Sequence, residues 1–195
     1  MIKKQKKNEN YKLSFAYLKE NKNYFFAILA IFLASFMAGF FYPVFFAEFI
    51  KNLMIELSER IKGMNFLQLF VFIIKNNLSV AFIGMLLGIV LGIAPIFLAF
   101  FNGYVLGFVS SKTVSATNFF VLFRLVPHGI FELPALVLSL GLGLKLGISV
   151  LVKNKKENFF SNLKNSLIVF IYVVLPLLII AAIIETSLIF FWKSP

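Results

Sequence analysis

The residues able to do chemistry sit in surroundings as apolar as lipid. Arg124, His128 and Glu132 follow one another at intervals of four, the histidine is the sole one in the chain, and Pro127 and Pro134 stand in the same stretch. An ionisable side chain in a bilayer costs about 2.5–3.5 kcal/mol on insertion scales, so residues kept at that cost are candidates for a site. If the segment is helical, His128 and Glu132 share a face, and with Glu185 they make a set that binds a divalent metal such as zinc and activates water. One histidine with two carboxylates is an unusual zinc set, and no spare general base accompanies it. The plainer reading is that these side chains pair with one another to hold a broken helix together. Asn102 joins them as a buried amide that needs partners, with a hydrogen bond to a neighbouring helix as its plainer role. The candidate intramembrane site is therefore Asn102, Arg124, His128, Glu132 and Glu185.

Composition says what must position these residues. The chain has 195 residues, 61% of them hydrophobic, with 27 phenylalanines and no aspartate, which is the composition of an integral membrane protein. Its net charge of +11 is concentrated beside apolar runs. Lys3, Lys4, Lys6, Lys7, Lys12, Lys19 and Lys22 precede the first run against Glu9 and Glu20, and Lys153, Lys155, Lys156 and Lys164 stand against Glu157 before the last. This is the bias of the positive-inside rule, and it excludes nucleic acid as a partner, since no folded basic surface is present to displace counterions. With no cysteine there is no disulfide framework, thiolate catalysis or cysteine metal site.

The spacing of the apolar runs predicts an all-α, polytopic membrane protein with about five transmembrane helices. Residues 1–22 read as a basic cytoplasmic tail, and 24–43 as a first span retained as an anchor. Residues 44–75 read as an outer amphipathic segment. Phe45, Phe46, Phe49, Ile50, Leu53 and Leu57 recur at helical spacing opposite Glu48, Lys51, Glu56 and Arg60, Gly63 breaks the helix, and Asn65 caps a second short one over 66–74. Spans follow at 78–94 and 95–111, with the turn at Ala94-Pro95. The run 119–152 is too long for one straight span, so 119–132 enters and returns or forms the outer half of a kinked helix, and 133–152 crosses unaided. The last span is 165–191. Five spans with the amino terminus inside put both lysine-rich segments on the cytoplasmic side of the cell membrane.

Glycines four apart mark where helices approach one another. Gly84, Gly88 and Gly92 form one series, Gly103 and Gly107 a second, Gly143 and Gly147 a third, and Ser35 with Gly39 a weaker copy. Small residues at that spacing predict a compact bundle, continued across a homodimer or homo-oligomer interface, with Gly129 counted among the packing positions.

Taken together, Phe101-Asn-Gly-Tyr-Val-Leu-Gly107, the Pro-His-Gly-x-x-Glu core within Val126–Ala135, and Ala182-Ile-Ile-Glu185 resemble the stage II sporulation protein M family of multi-span membrane proteins. The resemblance runs from about Asn77 to Phe191 and places Asn102, Gly103, His128, Gly129, Glu132 and Glu185 at the family's polar and glycine positions. It implies a scaffold, since in spore formers the family member holds a peptidoglycan-degrading pair at the membrane during engulfment. The expected function is thus a membrane scaffold in contact with lipid, recruiting protein partners at its outer face. A membrane-embedded metal-dependent hydrolase built on His128, Glu132 and Glu185, and a small-solute or ion transporter built on the broken helix, are the alternatives.

Overall fold

The computed structural model describes residues 2–116, 126–151 and 155–191, with side chains over 9–116, 129–151 and 159–191. The elements are α1 (Ile2–Glu20), α2 (Lys22–Phe41), α3 (Ala47–Ile61), α4 (Phe66–Leu87), α5 (Ile93–Ala116), α6 (Val126–Leu151), α7 (Lys155–Val169), a π-helical turn (Phe170–Val174) and α8 (Leu175–Phe191). Five helical stretches are long and apolar enough to cross a membrane: Lys22–Phe41, Phe66–Leu87, Ile93–Ala116, Gly129–Leu151 and Phe159–Phe191. The protein is a polytopic α-helical membrane protein.

The most buried span is α6, which packs against α2, α4, α5, α7 and α8. Two glycine seams set the neighbours' distances. On α5, a Cβ at Gly103 would fall on Ser35 and the Phe32 carbonyl of α2, and one at Gly107 on the Phe36 carbonyl. A Cβ at Gly39 would meet the Tyr104 carbonyl in return. In the second seam, Gly88 abuts the Gly143 backbone of α6, and Gly147 abuts Gly88 and Gly92. Residue numbers rise together along both seams, so α2 runs parallel to α5, and α4 parallel to α6. Backbones in lipid gain dispersion contacts only by such close approach. Ser139 adds a hydrogen bond across the second seam, its hydroxyl donating to the Ala81 carbonyl at 2.6 Å. All these stripes are occupied within one chain. At Gly129 a Cβ meets nothing within 4 Å among the described residues.

Several boundaries differ from the sequence reading, each for a local reason. The amphipathic stretch forms α3, but the short helix expected over 66–74 and the span expected from 78 are one helix. Lys75-Asn76-Asn77 lies inside α4, where no glycine or proline interrupts the backbone hydrogen bonds. Asn65 does cap this helix, in a reciprocal box with Gln68 at 2.9 and 3.0 Å. The turn between the next spans falls at 88–92 rather than at Ala94-Pro95, because Gly92 (φ 72°) and Leu91 (φ 56°) take left-handed backbone. Pro95 then sits in the first turn of α5, where a missing donor is harmless. Within 119–132, residues 119–125 lie outside the described residues. From Val126 the chain is one helix through Pro134 to Leu151, without the breaks expected at Pro127, Gly129 and Pro134. Pro127 occupies that helix's first turn, again without losing a needed donor.

The basic tail is also helical, and its place explains the two lysine-rich segments. Asn10 Nδ2 donates to the Tyr172 hydroxyl at 3.0 Å, the Tyr17 hydroxyl donates to Asn162 Oδ1 at 3.0 Å, and Tyr11 meets Tyr172 edge-on. Helices α1 and α7 therefore lie together at one end of the bundle. Tyr172 reaches α1 from the π turn, in which Leu175 N–H bonds to the Phe170 carbonyl. Pro176 accounts for that turn: its ring would collide with the Tyr172 carbonyl in a regular helix, and one extra residue in the turn moves the carbonyl away. Lys145, on α6, places its Nζ over the Tyr24 ring, 5.3 Å from the centroid.

At the other end of α2, Tyr104 holds the connection to α3. Its hydroxyl lies 2.9 Å from the Tyr42 carbonyl and 3.0 Å from that of Phe45, donating to one at a time. Pro43 stops α2, since the residue before a proline avoids helical backbone. Tyr104→Phe removes the one hydroxyl that ties this turn to α5, a part-buried bond, and should destabilise the protein by about 0.5–1.5 kcal/mol. A melting temperature in detergent equal to wild type would show that the turn is held by other contacts.

Candidate functional site

A cavity of about 100 Å³ lies between α4, α5, α6 and α8, lined by Asn76, Asn77, Val80, Ala81, Asn102, Glu132, Leu136 and Leu178. Helical geometry brings its polar groups together. Asn76 and Asn77 stand halfway along α4, Asn102 stands near the middle of α5, and Glu132 is two turns into α6. Small residues at Ala81 and along both seams let the three helices come close enough for one void to reach all four side chains.

The hydrogen bonds fix what the cavity is offered. Asn102 Nδ2 donates to the Leu98 carbonyl of its own helix at 2.8 Å, which leaves its Oδ1 and one N–H for the cavity. This satisfies the amide within α5, not through the neighbouring helix that its sequence position suggested. Asn76 Nδ2 donates weakly to Asn77 Oδ1, at 3.4 Å. The Asn77 Nδ2 is buried and has no hydrogen-bond partner among the described residues. Glu132 and Glu185 are both partly buried and close enough for their carboxylates to interact through space, although Glu185 is not part of the cavity wall.

The sequence-expected site is thus assembled in part. Asn102 and Glu132 share one cavity, and Glu185 lies within electrostatic range of it. Arg124 lies outside the described residues, as does the side chain of His128, whose backbone belongs to α6. Among the described residues no group of three His, Cys, Asp or Glu side chains is arranged to hold a metal ion. The set His128, Glu132 and Glu185 falls outside that statement because the imidazole does. Asn76 and Asn77 were missed as site residues. Three successive polar residues between two apolar runs read as a surface connection, and the sign that they belong to one continuous helix is the lack of any glycine or proline beside them.

Comparison with known proteins places these features. A family model described as Stage II sporulation protein M matches residues 5–188, extending the sequence resemblance through α1, α2 and α3. An uncharacterized protein of Methanocaldococcus jannaschii is 34% identical over 119 residues, which is 61% of this chain and 47% of that protein. The chain thus matches about half the length of that relative. No solved structure matches it.

Proposed function

Because the chain belongs to the Stage II sporulation protein M family, we propose that it acts as a membrane scaffold which assembles partner proteins at the cell membrane, rather than as an enzyme. The observation that carries this reading is α3. Only its Ile50 is buried, packed on Tyr104 and Phe108, while Tyr42, Val44, Phe45, Phe46 and Phe49 form an exposed apolar rim at its start. Glu48, Lys51, Glu56, Glu59 and Arg60 are exposed along the helix. An apolar patch rimmed by charge is the usual makeup of a contact surface, and the bundle's own seams are already filled.

The test compares native membranes carrying wild type with membranes carrying Phe45→Ser/Phe49→Ser. The scaffold reading expects a higher-mass complex of wild type on native gels that the variant loses, with the bundle's melting temperature unchanged. Metal-dependent hydrolysis by the purified chain in liposomes, abolished by His128→Gln, would replace this reading with the enzymatic one.

The orientation that goes with this function has the amino terminus inside, so that α1 and α7, with their lysines, lie together in the cytoplasm and α3 faces out. Single cysteines at exposed Lys12 (Lys12→Cys) and at Asn158 (Asn158→Cys) should both resist impermeant thiol reagent in intact cells and react after permeabilisation. Labelling of either in intact cells would reverse the orientation.

A further inference from the structure

The glycine seams are filled from within the chain, so a second copy has to meet a different face. Helix α3 offers one. It runs across the end of the bundle where α2 stops and α4 starts, with Ile50 on Tyr104 and Phe108 of α5 and Ile61 beside the Leu69, Ile73 and Ala182 cluster of α4 and α8. Helical geometry turns the opposite side outward. There Glu48, Lys51, Ile55, Glu59 and Lys62, the last being the C-cap, recur at intervals of three and four, and all five are exposed. None of the four charged residues has an ion-pair partner among the described residues, where the one pair, Glu56 with Arg60, lies on the flank of the helix.

The order of these charges is complementary to its own reverse. Four residues before Ile55 stands a lysine and four after it a glutamate, while seven before it stands a glutamate and seven after it a lysine. Two copies inserted the same way up are related by a two-fold axis along the membrane normal, and a helix lying across that axis meets its copy antiparallel. With Ile55 on the axis, Lys51 faces Glu59 of the second copy and Glu48 faces Lys62 of the second copy, and symmetry repeats each pair. A parallel alignment sets like charge against like at all four positions. Each exposed pair is weak alone, so the charges select the alignment, while confinement of both copies to one membrane raises their effective concentration.

We propose that α3 pairs antiparallel with α3 of a second copy of the chain, through these four charges around a central Ile55 contact. The pairing names a partner for the surface already read as a contact site, and rests on that reading. It uses the side of α3 turned away from the bundle and leaves the aromatic rim at the start of the helix to other proteins.

The chain has no cysteine, so single cysteines report the pairing directly. In native membranes under mild oxidation, Ile55→Cys should give a disulfide-linked product of twice the chain's 22.2 kDa mass, because a residue on a two-fold axis meets itself. Glu48→Cys should not link to itself, whereas Glu48→Cys and Lys62→Cys chains expressed together should link to one another. In the Ile55→Cys background, Lys51→Glu turns two attractive pairs repulsive and should slow cross-linking about tenfold, and adding Glu59→Lys should restore the rate to within about twofold. All these positions are exposed, so the variants should still fold. The proposal is overturned by the absence of an Ile55→Cys cross-link, by self-linkage of Glu48→Cys, or by a double reversal no faster than the single one. A product of twice the chain's mass contains no other protein, so a missing cross-link leaves the scaffold reading standing. A heavier native-gel complex unaffected by Phe45→Ser/Phe49→Ser would sink that reading and leave the pairing untouched.

Discussion

Gly88→Ala and Gly107→Ala are each expected to remove the folded protein from detergent extracts, while Gly129→Ala leaves it at least as stable as wild type. The same methyl is added each time, so the difference lies in what it meets. At Gly88 the new Cβ falls on the carbonyl carbon, oxygen and Cα of Gly143, and at Gly107 on the carbonyl of Phe36 and the amide of Phe40. Overpacking against side chains costs about 1–3 kcal/mol because rotamers adjust. A backbone has no rotamer, so a whole helix must move, and the cost should exceed that range. Against a total stability of about 5–15 kcal/mol, and with the other contacts of the same seam lost in turn, this is enough to unfold the bundle. At Gly129 nothing among the described residues lies within 4 Å, and the exchange leaves the helix preference for alanine, worth up to about 1 kcal/mol. Size-exclusion profiles and melting temperatures decide the matter, and a Gly88→Ala protein with a wild-type melting curve would mean that α4 and α6 do not touch there.

The glycine stripes show what was legible in the sequence and what was not. Their positions and their role as close contacts follow from residue type and spacing, as do the five spans and the amphipathic α3. Which stripe faces which is a long-range property: Gly103 pairing with Ser35, and Gly143 with Gly88, needs the order of helices in the bundle. Gly129 has the right residue type without the partner. The same limit hid the site. Asn102 and Glu132 stand out as polar residues in apolar runs, but Asn76 and Asn77 follow a lysine and look like a connection, and only the unbroken course of α4 brings them to the cavity wall. Docking of α1 was not readable either, since its contacts are single hydrogen bonds from Asn10 and Tyr17 to residues more than 140 positions away, one of them on a π turn that Pro176 imposes.

Two different surfaces of the bundle carry its lysines and its exposed aromatic rim. Lysines of α1 and α7 lie on one end, where they can meet anionic headgroups and fix orientation. The exposed aromatic rim of α3 belongs to another surface, reached from the bundle through Tyr104, which touches the α2–α5 seam and the Tyr42–Phe45 turn at once. A change at either seam should therefore be felt at α3 as well as in the bundle's stability.

The double variant Gly84→Ala/Leu140→Ala should be more stable than the sum of its parts predicts. Leu140 is fully buried, and its loss alone should cost about 2–5 kcal/mol through the cavity it leaves. Gly84→Ala alone puts a methyl 2.6 Å from Leu140 Cδ2 and 2.9 Å from Leu98 Cδ1, an overpacking worth about 1–3 kcal/mol. In the double variant the first obstacle is gone and the new methyl occupies part of the space left by the leucine, while Leu98 yields by rotation. A coupling of about 0.5–3 kcal/mol in the stabilising direction follows, measured as a double-mutant cycle on unfolding in detergent. Additivity within about 0.3–0.5 kcal/mol would mean that Leu140 does not lie over Gly84. No such rescue is open to Gly88→Ala, because what it strikes is the Gly143 carbonyl, and no substitution trims a backbone. The two positions lie on one stripe one turn apart, yet one tolerates compensation and the other does not, which separates a seam closed by side chains from one closed by the main chain.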